Sequence, residues 1–169
     1  MCIRDSIYHP IFFRTGAMDW IHHVPVYILN TLMFSIPGNP AIELQAFDLS
    51  GLSFREKCAF FINLFNALVI QGFVVTGPPT NHYQRLHFNA HTCHSIGGSA
   101  YSLSDIEHGI LRGNQKPHQS YRRLFRDGDQ RLENAVVVWD PRIHFAVVRG
   151  TRSCPPLAVY DPDSLDDML

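Results

Sequence analysis

At 169 residues the chain is long enough for one domain with a sizeable core, and its 46% hydrophobic content is ordinary for a soluble protein. A formal net charge of -1 argues against non-specific nucleic-acid binding. The charge is uneven: residues 112–131 hold Arg112, Lys116, Arg122, Arg123, Arg126 and Arg131 against Asp127 and Asp129, while 161–169 hold Asp161, Asp163, Asp166 and Asp167 without a base. Both stretches read as solvated faces. The sharper reading of the basic one is a patch for an anionic ligand or a protein partner.

Residues 1–40 form a poorly defined N-terminal segment ahead of a domain over 41–169. "MCIRDS" fits no element. The apolar stretch "WIHHVPVYILNTLMFSIPG" is broken by His22, His23, Pro25 and Asn30 and is too short to span a bilayer, so no membrane association is expected. The layout of a secretory signal is not recognisable here. Cys2, Cys58, Cys93 and Cys154 are widely spaced, make no CxxC and show no disulfide framework, so a reducing, cytoplasmic setting is the default expectation.

"PGNP" at 37–40 is a loop, and "SFREKCAFFINLFNALVIQG" follows as a strong helix over 53–71. Ser53 and Glu56 make a capping box, and Gly72 stands where a helix stops. "GPPTNHYQRL" is a loop broken by Pro78 and Pro79. "IGGSAY" suggests a tight turn beside a short strand, and "SLSDIEHGILRGN" a helix over 104–112, apolar along Ile106, Ile110 and Leu111. A polar, mostly looped stretch with one short helix comes next. "RIHFAVV", within a strand expected over 142–148, is β-branched and aromatic enough to be the clearest strand. A Pro-Pro corner leads to a final helix capped by Asp163 or Ser164. That helix stops in its second turn, so a C-terminal portion is expected to be missing and the isolated chain to be weakly stable.

Two asparagines sit oddly in the apolar helix. Asn63 and Asn66 are three apart on one face, and a buried amide without partners costs about 1–3 kcal/mol. Their partners are expected among Asp105, Glu107 and His108 in "SDIEHGIL" and Asp140, Arg142 and His144 in "WDPRIHFAV", together with Arg112. In a strand, Arg142 and His144 would share one face, and Ile143 and Phe145 the other. Glu107 and His108 point about 100° apart on an α-helix, which keeps them from one ligand. The bland reading is a structural polar seam; the functional one is a site wall.

Cys154 in "RSCPP" follows His144 by ten residues, and Arg149 and Arg152 would lower its thiol pKa if near. A cysteine with a histidine, His144 or His108, and an orienting amide is a recipe for a nucleophile, with a structural thiol as the alternative. In the cluster of His87, His91, Cys93 and His94, the first two have i, i+4 spacing and Cys93 could add a thiolate, which makes zinc conceivable. However, the segment shows no helical periodicity and a structural site would need a fourth ligand, so no metal or other cofactor is assigned.

"FINLFNALVIQG", "IGGSAYSLSDIEHGILRGN" and "DPRIHFAVVRGTRSCPPLAVYDPDSLDDML" together resemble the domain of unknown function 547 family, from about residue 47 to 169. The resemblance implies a mixed α and β domain without an established activity, standing alone or beside glutaredoxin-like, DEP or leucine-zipper segments. It carries over to Asn63, Asn66, Gly97, Gly98, Asp105, Glu107, His108, Gly109, Arg112 and Gly113. In the C-terminal third it carries over to Asp140, Pro141, Arg142, His144, Ser153, Cys154 and Pro155. Gln71 stands where the family has a histidine, His94 where it has an aromatic, and Arg149 where it often has a second cysteine. The last departure removes the local partner for dithiol chemistry. The order of helix and His-bearing strand also resembles papain-like and transglutaminase-like folds, but in those a cysteine begins the helix.

The expectation is therefore a single α+β domain whose buried helix packs on a short sheet. Two functions compete for it. One is a binding or interaction module that the seam holds rigid. The other is a cysteine-dependent hydrolase or transferase using Cys154 with His144 or His108.

Overall fold

Ser53 and Glu56 open the longest helix as a capping box. The Ser53 N–H donates to the Glu56 carboxylate at 2.8 Å, and the Glu56 N–H to the Ser53 hydroxyl at 3.4 Å. The computed structural model describes residues 44–116, 122–136, 139–151 and 153–169. The N-terminal segment over 1–40 and Arg152 lie outside them.

This helix, α1 (Phe54–Thr76), runs a turn past its expected end. Gly72 is an interior residue rather than a stop. The Phe88 ring occupies its side-chain position, where an added Cβ would sit 2.5 Å from the ring. The cap is Gly77, at φ 80, whose N–H donates to the Phe73 carbonyl at 3.0 Å. By length and composition α1 could cross a membrane, but 67% of its most apolar window is buried within the fold, as in a core helix. Phe61, Ile62 and Phe65 are 0–1% exposed and share one apolar cluster with Ile106, Ile110 and Leu111. Each such side chain contributes roughly 1.5–3 kcal/mol by leaving water.

The segment after Pro78 and Pro79 corrects the loop reading: His82–His91 is a helix, α2, with the Asn81 side chain accepting the Gln84 N–H at 2.9 Å. Phe88 alone is buried on α2, so one anchor against Gly72 replaces the apolar stripe that would have marked it. Strands β1 (Cys93–Ile96) and β2 (Ser99–Ser102) follow as an antiparallel hairpin pairing Cys93 with Ser102 and Ile96 with Ser99. Gly97 and Gly98, at φ 54 and 78, supply the two positive dihedrals of its tight turn. This hairpin is the only sheet among the described residues, so the domain is α+β with little β.

The expected strand over 142–148 is also corrected. Ile143–Ala146 is a short helix, α3. Ile143 and Ala146, three apart, are buried at 3% and 2%, while Phe145 is 73% exposed. The alternation that would have put Arg142 and His144 on one face therefore does not form. Local chemistry overrides β propensity here. The Asp140 carboxylate accepts the Arg142 N–H at 2.9 Å and the Asp140 carbonyl accepts the Ile143 N–H at 3.2 Å, which winds the chain into a turn. Only from Val147 is the backbone extended.

Asn63 and Asn66 take up the extended segments that no sheet receives. Asn66 Nδ2 donates to the Ala146 carbonyl at 3.1 Å, and its Oδ1 accepts the Val148 N–H at 2.8 Å. Asn63 does the same for Tyr160, donating to its carbonyl at 2.8 Å and accepting its N–H at 2.9 Å. Each amide thus stands in for the facing strand of a β ladder. A 3₁₀ helix (Gln130–Asn134) and the terminal α4 (Leu165–Met168), anchored by Leu165, complete the described chain.

Candidate functional site

Residues Asp105–Leu111 are wound as a π-helix, in which the Arg112 N–H reaches back five residues to the Glu107 carbonyl at 3.1 Å. Wide turns of this kind are rare and concentrate at functional sites. The winding also corrects an expectation from ideal α geometry. Glu107 Oε1 and His108 Nδ1 lie 3.9 Å apart, so these neighbours do contribute to one cluster.

Glu107 is 7% exposed and paired with Arg149, which donates from Nη2 at 2.5 Å and from Nε at 3.2 Å. Burial alone pushes the Glu107 carboxyl up. The Arg149 hydrogen bonds and charge, with smaller contributions from His108 and His144, outweigh burial and hold it below its ordinary value. Glu107 is therefore ionised at neutral pH. His108 accepts a hydrogen bond at Nδ1 from Arg112 Nη1 at 3.1 Å, which leaves its proton on Nε2. Burial, with the charges of Arg112 and Arg149, depresses its pKa against the opposing pull of Glu107, so the ring is neutral.

Arg112 is the unusual member. It is 6% exposed, its guanidinium lies 5.9 Å from the centre of the Trp139 ring, and its Nε has no hydrogen-bond partner. Among the described residues no carboxylate lies within ion-pair distance of it. Two guanidinium groups therefore face one carboxylate, and the cluster is net positive.

Cys154 reaches the same cluster through Arg149, whose backbone N–H donates to the sulfur at 3.3 Å; the Thr151 hydroxyl lies 3.1 Å away. Burial pushes the thiol up, but the Thr151 and Arg149 hydrogen bonds and the Arg149 charge bring it below its usual value. The expected influence of Arg149 on the thiol is therefore present. Among the described residues the sulfur bonds to an amide and a hydroxyl, and His108 bonds to Arg112 instead. His144, on α3, is exposed and acts electrostatically on both Glu107 and His108.

The remaining seam residues are placed elsewhere. Asn63 and Asn66 bind backbone, as described, and not the side chains of the two expected segments. Asp105, the first residue of the π-helix, ties it to the end of β2 by accepting the Ser102 N–H and hydroxyl at 3.0 and 2.8 Å, and pairs with Arg131 at 3.3 Å. Asp140 and Arg142 pair at 2.6 Å and join Asp166 and Arg55 in an outer ion network between α1 and α4. The basic stretch divides as well. Arg112 and Arg131 turn inward, while Arg123 and Arg126 are exposed. His87 and His91 stack on α2 with ring centres 3.9 Å apart, and Cys93 and His94 lie on β1. No group of three or more metal-ligating side chains forms among the described residues.

Thr151 and Trp139 escaped the sequence reading. Thr151 had a legible signal, a hydroxyl three residues before a cysteine in "TRSC". Trp139 had none.

No curated protein and no solved structure matches this chain. The family model described as "Protein of unknown function, DUF547" matches residues 49–169, which include every member of the cluster. The span agrees with the resemblance read from the three motifs, and the chain belongs to the DUF547 family.

Proposed function

We propose that the domain is a binding module whose π-helix cluster receives an anionic group. The observation that carries this is Arg112: a guanidinium 6% exposed, with a spare donor and no carboxylate among the described residues. A buried charge is costly unless it is paired, and its neighbour Arg149 already shares Glu107. An anion lodged against Arg149, His108 and the exposed His144 would offset the excess positive charge. The rigid backbone clamps of Asn63 and Asn66 keep the loop bearing Arg149 and Cys154 in place against α1.

Trp139 lies against Arg112 and serves as the reporter. In a Trp20→Phe background its fluorescence should change saturably with inorganic phosphate or acetate at constant ionic strength. A linear change that sodium chloride reproduces would overturn the reading.

A cysteine-dependent hydrolase or transferase is the second reading, favoured by the depressed pKa of a half-buried Cys154. Alkylation of Cys154 by iodoacetamide, followed by peptide mass spectrometry against pH, should give an apparent pKa below the roughly 8.5 of free cysteine. Thr151→Val should raise it. A value at or above that of free cysteine would remove the enzyme reading and leave the binding module untouched.

A further inference from the structure

On another face of the domain, an open hollow of about 610 Å³ lies between the segment preceding α1, the β1–β2 turn and the 3₁₀ helix. Its chemistry differs from that of the π-helix cluster. Gln45, Ser99, Gln130 and Asn134 give it neutral amides and hydroxyls. The charged groups on its wall are partly engaged: Asp48 accepts the Ser50 N–H at 2.8 Å, and the Lys57 ammonium donates to the Glu133 carbonyl at 3.3 Å. Two carboxylates, Asp48 and Glu133, against one ammonium make it a poor place for an anion.

One wall is aromatic. Phe47, 38% exposed, stacks on Phe60 with ring centres 5.4 Å apart and planes 12° from parallel. Phe60 is in turn braced edge-on by buried Phe61. The result is a flat apolar plate held from behind and open in front. Deeper in, Asn134 Nδ2 donates to the Tyr101 hydroxyl at 3.2 Å, leaving Asn134 Oδ1 as an acceptor and the phenol proton as a donor.

We infer that this hollow is a binding site for a neutral polyhydroxylated ligand of the monosaccharide or cyclitol class. Such a molecule has an apolar C–H face that lies on an aromatic ring and a rim of hydroxyls that both donate and accept. Planar amides beside a hydroxyl satisfy that rim without an ion to desolvate. The hollow is large enough for a six-membered ring with its hydroxyls, and the phenylalanine plate sets the ring's orientation.

The test is saturation-transfer NMR on the full chain with D-glucose, N-acetyl-D-glucosamine and myo-inositol at tens of millimolar, with choline as a cationic comparator. At least one neutral ring should take up saturation, strongest at its C–H protons. Phe47→Ala should weaken it by about tenfold, equivalent to losing one aromatic contact, and Phe47→Trp should restore it. If Phe47→Ala does not fold, Gln130→Ala at the exposed rim takes its place and should also weaken binding. Absence of transfer to all three polyols, preference for choline, or insensitivity to these substitutions would each overturn the inference. Phosphate binding at the π-helix cluster reads independently of all of these outcomes.

Discussion

Replacing Asn66 with leucine should destabilise the domain by about 2–6 kcal/mol, because two buried backbone groups lose their partners at about 1–3 kcal/mol each. Leucine keeps the branched skeleton of asparagine but is bulkier, so crowding at this 1% exposed position adds to the loss. The Ala146 carbonyl and the Val148 N–H would both be orphaned against an apolar helix, with no strand to take them. Against a typical stability of about 5–15 kcal/mol this is a large fraction of the whole. Urea denaturation would show it as a lowered midpoint at unchanged slope. Asn66→Asp should give no rescue, since it keeps the acceptor for Val148 but sets a buried carboxylate against the Ala146 carbonyl oxygen. Asn63→Leu should cost less than Asn66→Leu, because Asn63 is only half-buried. A change under about 1 kcal/mol for Asn66→Leu would mean that water or a shifted backbone takes over both bonds.

That two asparagines three apart in an apolar helix must be satisfied was legible in the sequence, because desolvation of an amide depends on its surroundings alone. What satisfies them was not. Their partners are main-chain atoms, which every residue carries, so no side-chain pattern points to Ala146, Val148 or Tyr160. The same limit explains the strand assigned to "RIHFAVV". Its composition suits a pleated surface, but the Asp140 side chain folds the start of the segment into a turn, and α1 rather than a neighbouring strand receives its extended end. β propensity reports a fit to such an environment and does not create one.

The candidate site was half legible for a different reason. Glu107 and His108 stood out as polar residues in apolar company, Arg112 as a member of the expected seam, and Arg149 and Cys154 through thiol chemistry. The assumption of 3.6 residues per turn then separated Glu107 from His108, whereas the π-helix returns them to one cluster. A five-residue hydrogen bond leaves no compositional mark. The pairing of Glu107 with Arg149 spans 42 residues and depends on that local winding, so sequence spacing could not reveal it.

The Glu107–Arg149 pair supplies the second large effect. Arg149→Met should cost about 3–5 kcal/mol at pH 7, since it leaves an ionised carboxylate 9% exposed without its partner. Methionine keeps most of the aliphatic stem and the backbone N–H to Cys154, so the loss reports the guanidinium. The double variant Glu107→Leu/Arg149→Met should recover most of the stability, because neither member of the pair is then left as a buried charge without its partner. The sign of the pH dependence separates a lost ion pair from poor packing. In the unsubstituted chain the folded pKa of Glu107 lies below the ordinary value of 4.5. Its contribution is therefore complete above that value and is lost as the pH falls through the folded pKa. In Arg149→Met burial acts almost unopposed and the folded pKa rises above 4.5. The carboxyl then favours folding only when protonated, and that contribution disappears as the pH climbs through the raised pKa. The gap in stability between the two chains should thus be widest at pH 7 and close steadily toward pH 4. Urea midpoints across that range decide the matter: a gap that stays constant with pH would show that Arg149 acts through its shape and not through its charge on Glu107.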